Sequence, residues 1–267
     1  MRTSLFHMFA VALLLTIAAG NSAAQDMTGG TVKYQQITKY NFDTVFGNMD
    51  NPRVKEWLAT LPKEGKKVKV LYFTEERALY AEDPEDNEAL PRNLQGALAR
   101  ISFMQPPRAE LLSVYYDFGE NEKTEQVDFM TRNFTIESAI EPKAWKLTNK
   151  QIKVLDYICL GAELKQGEDT IAAWFVPQIP IAAGPAEFFG LPGLILVVEV
   201  NGETAYMATS IDLNPPREGA LSKPEEGKKV TVEEFDQIVE EKVKEFKETA
   251  KDRRGRDRGG DRGGERR

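Results

Sequence analysis

Leu194-Ile195-Leu196-Val197-Val198 is apolar at every position, and a strand can carry such a run only where both of its faces are covered. The run is bounded on each side. Leu191-Pro192-Gly193 stands before it, and Asn201-Gly202 follows Glu199-Val200. Pro192 presets φ at the second position of a turn and Gly193 accepts positive φ at the third, which predicts a type II turn launching the strand. Asn201-Gly202 suits the two positive φ angles of a I′ hairpin. A chain containing this run must therefore be organised around an interior strand.

The approach to the run is unusual. Pro177, Pro180 and Pro185 lack amide hydrogens, and Gly184 and Gly190 relax steric limits. Residues 176–190 are thus expected as a stiff loop outside the hydrogen-bond ladder, running across a sheet edge or end. Glu187 is the one acid or base in it. Pro177, Pro180, Gly184, Pro185, Gly190, Leu191, Pro192, Gly193, Leu194 and Ile195 are read as a structural motif, with no catalytic, cofactor-binding or metal-ligating residue assigned to the chain.

Further strands are expected at 31–41, 68–73, 111–118, 126–136, 151–160, 170–176 and 204–213, segments rich in Val, Ile, Tyr, Phe and Thr. Their close spacing favours antiparallel pairing, because a parallel crossover needs a dozen or more residues. Helices are expected at 52–60, 93–100 and 232–249. The last opens with the capping box Thr231…Glu234 and places Val232, Phe235, Ile238, Val239, Val243 and Phe246 at helical spacing. The fold class is mainly β (α+β): a curved antiparallel sheet or half-barrel with covering helices.

Arg2, an apolar run at 9–19 and Ser22-Ala23-Ala24 form the layout of a secretory signal peptide cleaved after Ala24. The apolar run is short of the ~20 residues a membrane span requires, and no Cys ends it, so neither a span nor a lipid anchor is expected afterwards. The expected organisation is a signal peptide at 1–24, one β-rich domain at 25–250 and a tail at 251–267, in a protein that is periplasmic or secreted. Without residues 1–24, 34 bases face 42 acids. The tail holds 8 bases and 4 acids, which leaves 26 bases against 38 acids, a net −12, on the body. An acidic body repels phosphate backbones, so no nucleic-acid partner is expected. The Arg/Gly tail has no apolar side chain to offset ordering entropy and is expected to be disordered.

His7 is the only histidine and lies in the signal peptide, so the exported chain has no imidazole for nucleophilic catalysis or zinc. Cys159, the only cysteine, sits in an apolar strand, where a thiol behaves as a small hydrophobe. The acidic run 82–88 does not fit a calcium loop and reads as a solvated connection. Asp156 interrupts the apolar row Ile152, Val154, Ile158, Leu160. Either a bulge turns it to water or it is a polar contact inside a pocket.

Ala173-Trp174-Phe175-Val176-Pro177-Gln178-Ile179-Pro180-Ile181, then Gly184-Pro185, Phe188 and Gly190-Leu191-Pro192-Gly193-Leu194-Ile195, closely resemble the GLPGLI family of exported Bacteroidetes proteins. Weaker likeness extends through Trp145-Lys146-Leu147-Thr148, Tyr157-Ile158-Cys159 and Leu71-Tyr72-Phe73. The resemblance implies a periplasmic or surface protein with no assigned activity, often encoded near outer-membrane receptors. Its strand-rich layout looks like the half-barrel of lipoprotein carriers, a fold-level analogy. The leading expectation is a non-enzymatic envelope protein that binds an apolar ligand or a partner segment and needs no cofactor. The alternatives are a carboxylate-dependent hydrolase using Asp156 or Glu187, and an accessory subunit of an outer-membrane receptor.

Overall fold

Short connections force sequential strands to pair, and they do so here in two runs. The computed structural model describes residues 29–42, 46, 50–85 and 89–259; residues 1–24, expected as a signal peptide, Asp86 to Glu88 of the acidic run, and 260–267 of the tail lie outside them. One run comprises β2 (Glu64–Thr74), β3 (Arg77–Glu82), β4 (Glu110–Asp117), β5 (Glu122–Phe129) and β6 (Arg132–Ala139). The other comprises β7 (Lys146–Val154), β8 (Tyr157–Gln166), β9 (Asp169–Val176), β10 (Leu194–Val200) and β11 (Thr204–Asp212). The first strand, β1 (Gly29–Lys39), joins them by pairing with β2 along Gly29 to Lys39 and with β11 along Thr31 to Thr38. The short β12 (Lys228–Val230) adds in parallel to β6. The 12-stranded sheet has the order β12-β6-β5-β4-β3-β2-β1-β11-β10-β9-β8-β7.

This order has a geometric consequence. β6 and β7 are consecutive in sequence yet ten positions apart in the sheet. In a flat sheet that separation is about 48 Å, whereas the connection 140–145 reaches at most about 25 Å when fully extended. The sheet must curl until its ends approach, and the connection bridges the concave side. Trp145 there donates its indole N–H to the Phe189 carbonyl at 2.8 Å.

Two segments and one helix fill the concave face. The crossing segment 177–193, between β9 and β10, buries Ile179, Ile181, Ala183, Phe188, Phe189 and Leu191 against the largest core cluster, with Val32, Tyr34, Leu71 and Phe73 beneath. Helix α3 (Val232–Gly259) covers only the β5, β6 and β12 end, through Phe235. Its ring packs edge-on against Phe129 and Phe134 at 6.0 and 5.3 Å, so the space beneath the helix is filled. The expected capping box forms: Glu234 accepts from the Thr231 amide at 3.0 Å and donates its own amide to Thr231 Oγ1 at 3.2 Å. Helices α1 (Pro52–Ala59) and α2 (Arg92–Ser102) enclose a separate cluster with Phe42, Phe46 and Leu61. The middle of the sheet is therefore covered by irregular chain, not by the helices.

Two segments expected as single strands are hairpins. Within 126–136 the chain turns at Met130-Thr131, with φ of 53° and 64°, and within 151–160 it turns at Leu155-Asp156, with φ of 52° at Leu155. Neither turn carries the Asn-Gly signature that marks Asn201-Gly202, whose φ angles are 52° and 68°.

In β10 the register slips between Ile195 and Val197 against β9, a bulge at Leu196. Pairing with β11 runs only from Val197–Met207 to Val200–Thr204. Beyond it, the Tyr34 hydroxyl donates to the Ile195 carbonyl at 2.5 Å, in a fully buried setting. Tyr34→Phe leaves that carbonyl without its donor, and an unsatisfied buried group costs about 1–3 kcal/mol. The urea midpoint should fall accordingly, with an unchanged slope; a midpoint equal to that of the wild type would show the bond to be dispensable.

Candidate functional site

The crossing segment is an extended ribbon before it is a loop. Ile179, Ile181 and Ala183 point into the core while Gln178, Pro180 and Ala182 face out. It uses the first amides of β10: Leu194 donates to Ile179 O at 2.9 Å and Ile195 to Ala183 O at 3.0 Å. Of the motif residues, Pro177, Pro180, Gly190 and Pro192 are exposed; Gly184, Pro185, Leu191, Gly193, Leu194 and Ile195 are buried. The corner is not a type II turn. Gly193 has φ 154°, its amide donates to Leu191 O at 2.8 Å across Pro192, and Leu194 bonds elsewhere. The tighter three-residue turn prevails because β10 pairs with the segment as well as with β9.

Glu187 is half-buried at the rim of this segment and accepts from Gln166 Nε2 at 3.3 Å. Gln166 Oε1 in turn accepts from Lys143 at 3.4 Å. The Lys143 ammonium lies 5.8 Å from the ring centres of both Phe188 and Phe189, and burial holds its pKa below the ordinary lysine value despite the pull of Glu187. Phe189 packs on Tyr116 at 4.9 Å. Tyr116 stands directly across from Lys123, and Lys123 from Ser138, in one row over β4, β5 and β6. Lys123 pairs with Glu125 at 2.8 Å. Among the described residues, the hydroxyls of Tyr116 and Ser138 have no hydrogen-bond partner. Burial first, then the charges of Glu125 and Glu187, push the Tyr116 phenol well above its usual range. It therefore stays protonated, a donor and not a base. Glu125 and Glu187 thus act on the same neighbours, Tyr116 and Lys143, and sequence reasoning did not single out Glu125 because these neighbours come from other parts of the chain.

Asp156 lies elsewhere, exposed in the β7–β8 turn. It reaches water through a hairpin and not through a bulge. Cys159 is fully buried, and burial pushes its thiol up to about 11, which leaves it protonated and unreactive at neutral pH.

A second place, on the convex face, was not visible in the sequence. Three cross-strand pairs of β1 and β2, Thr31–Tyr72, Lys33–Val70 and Gln35–Val68, form the floor of a groove. Along it run cavities of about 220, 350 and 310 Å³. The first two share Lys67, Val68, Ala89 and Leu90, and the last two share Asp83. Asp83, expected to be solvated, is buried and pairs with Lys33 at 2.8 Å; Lys33 also holds Glu85 at 2.8 Å. The reason is register: Lys33 projects from β1 over β2 toward the end of β3. Burial alone would raise the Asp83 pKa, but the Lys33 ammonium and the Glu85 amide outweigh it and hold it below the usual carboxylate range. The hydrogen bonds that the Lys33 ammonium donates to the Asp83 and Glu85 carboxylates raise it above its ordinary value. Among the described residues no group of His, Cys, Asp and Glu side chains could hold a metal ion.

A family model described as "Protein of unknown function (Porph_ging)" matches residues 162–197, from β8 through the crossing segment into β10. The name derives from Porphyromonas gingivalis, one of the Bacteroidetes. Two solved structures of PNGF-II, in P21 and C2 space groups, are similar in fold, each with a TM-score of 0.51 and 13% identity over 79% of this chain. The chain spans about a third of the length of those proteins, 33% and 32%. No curated protein matches the sequence.

A Cβ added at Gly193 falls 2.4 Å from the Val176 carbonyl oxygen and 2.8 Å from its carbon, backbone atoms that cannot step aside. Gly193→Ala should cost about 3 kcal/mol in strain and overpacking. Gly190→Ala, at φ 87° with nothing within 4 Å, should cost only about 1 kcal/mol. Thermal or urea unfolding of the pair checks the order, and equal losses would contradict it. A separate expectation concerns acid. Because its folded pKa is depressed, Asp83 contributes stability that is complete above the unfolded value near ~3.9 and is lost as pH falls through the folded value. Asp83→Asn should therefore lower stability by about 1–2 kcal/mol at neutral pH, and the gap should close in urea titrations carried out below that range.

Proposed function

We propose that this chain is an exported, non-enzymatic binding module of the GLPGLI family that holds an extended segment of an envelope partner along the convex groove over β1 and β2. The observation that carries the reading is the series of cavities there, which runs from Gly65 to Asp212 and is joined through the shared Lys67, Val68, Ala89, Leu90 and Asp83. Its floor sets a polar row from β1, Thr31, Lys33 and Gln35, beside a largely apolar row from β2, Val68, Val70 and Tyr72, and its walls offer Lys66, Lys67, Glu82 and Arg217. An extended peptide lying along the groove can set apolar side chains on the β2 row while its backbone groups and polar side chains bond the β1 row and the polar walls.

The concave side favours a partner segment over an enclosed apolar ligand, since the chain's own Phe188, Phe189 and Phe235 occupy it. The intact Gly190-to-Ile195 core with its proline-rich approach supports the family placement, and the match over 162–197 lies on the same residues. That a comparable fold accounts for a third of PNGF-II supports a modular role. The signal-peptide layout supports a periplasmic or surface location, where an outer-membrane receptor or one of its subunits is the expected partner.

A photo-crosslinking amino acid placed at Gln35, on the groove floor, should yield an adduct of one discrete mass when cells are irradiated. The same residue at Asp156, in the exposed β7–β8 turn, should not. Absence of the Gln35 adduct, or an identical adduct from both positions, would overturn the groove as the contact surface.

A further inference from the structure

We propose that the outer face of α2 seats the protein on an anionic lipid surface. The helix buries Leu94 and Ala97, with Leu98 and Ile101 partly covered, in the cluster it shares with α1. At 100° per residue the opposite stripe consists of Arg92, Gly96, Ala99, Arg100 and Phe103. That stripe is smooth and open: Arg92, Gly96, Ala99 and Arg100 are exposed, and a Cβ added at Gly96 meets nothing within 4 Å. It ends in an apolar tip. Phe103 is 78% exposed and Met104 46%. Large apolar side chains held in water at a helix end point to an interaction surface.

Charge selects the occupant. From Pro91 to Ala109 there are three arginines, at 92, 100 and 108, and no acid, in a body whose net charge is −12 by the count above. Arg100 is held in place over the Trp57 ring, its guanidinium carbon 5.1 Å from the ring centre. A protruding Phe-Met pair flanked by arginines has the chemistry of interfacial insertion: rings and thioether enter the headgroup boundary while guanidinium groups meet lipid phosphates. An acidic protein would meet the same arginines but would require a pocket for the tip; a bilayer provides one anywhere. Among the described residues no helix is long and apolar enough to cross a membrane, so the contact is peripheral; it uses a stripe of α2 that does not include Gln95, which lines the groove over β1 and β2.

The test is flotation of the purified protein with vesicles of phosphatidylcholine alone, and of phosphatidylcholine mixed with phosphatidylglycerol. The wild type should float only with the anionic vesicles, and less so as salt rises. Phe103→Ser/Met104→Ser should weaken binding by about tenfold or more, the loss of two inserted apolar side chains. Each arginine near an anionic surface is worth about a fivefold change, so Arg92→Gln/Arg108→Gln should weaken it by about twenty-five-fold. These positions are exposed, and unchanged circular dichroism would confirm folding. Flotation with neutral vesicles alone, no flotation at all, or variants that float like the wild type would overturn the proposal. Retention on immobilised polyglutamate without flotation would assign the face to an acidic partner and overturn it equally.

Discussion

Six residues join β6 to β7 across ten sheet positions, and this short tether dictates what the rest of the chain must supply. Curling the sheet turns one face into a hollow wider than its own side chains can fill. An unfilled apolar hollow forfeits dispersion contacts and admits water to carbon surfaces. The crossing segment meets that need by inserting between β9 and β10, two strands that could have been joined by a hairpin. Its prolines now acquire a physical reason. A ribbon lying on a sheet face has no neighbouring strand to take its amides, and proline has no amide to satisfy. The amides that remain are used locally, as between Gly190 and Ala182 O at 2.9 Å.

The bulge at Leu196 belongs to the same solution. Leu194 and Ile195 direct their amides to the crossing segment, so β10 cannot also run straight alongside β11, and the two strands diverge past Val197. Divergence strands the Ile195 carbonyl, which Tyr34 of β1 caps. β1 thereby does two things. It zips the two meanders by backbone pairing, and through one phenol it ties the seam to the covering segment. The neighbouring Tyr80 and Tyr206 pack edge-on around it at 6.2 and 6.4 Å between successive ring centres, which holds the phenol in the geometry that the bond requires.

How much of this was legible in the sequence follows from which forces are local. The interior strand Leu194–Val200, the Asn201-Gly202 turn, the capping box of α3 and the first two helices are written in residues a few positions apart, and each lies where those residues place it; α3 starts at its box but runs on to Gly259, ten residues past the expected end at 249 and into the segment expected to be disordered. The turns at Met130-Thr131 and Leu155-Asp156 were not legible, because pairing across the hairpin imposes positive φ on residues that do not favour it. β3 and β12 were missed because Arg77–Glu82 carries charges at both ends and Lys228–Val230 is only three residues long. Glu187 stood out by its isolation in an apolar loop, yet its surroundings, Lys143, Gln166, Glu125 and Tyr116, come from four other parts of the chain. The groove was invisible for the same reason: Lys33 and Asp83 meet across β2 only once register is set.

The convex face is open for a reason that also bears on what it can bind. The connection after β11 crosses β1 to β6 as a strap, pinned where Lys223 bonds Glu122 and Glu137 and where Gln126 and Thr135 both donate to the Glu226 carbonyl at 3.0 and 2.7 Å. The lead-in to α2 crosses β2 on the other side. Between these two walls the β1–β2 floor stays uncovered. The sheet margins offer no comparable opportunity. β7 carries Lys146, Lys150 and Lys153 along its free edge, and β12 is a three-residue parallel stub, both of which discourage an added strand. Recognition through edge pairing is thereby disfavoured, and what this fold presents to a partner is side-chain chemistry on its outer curve.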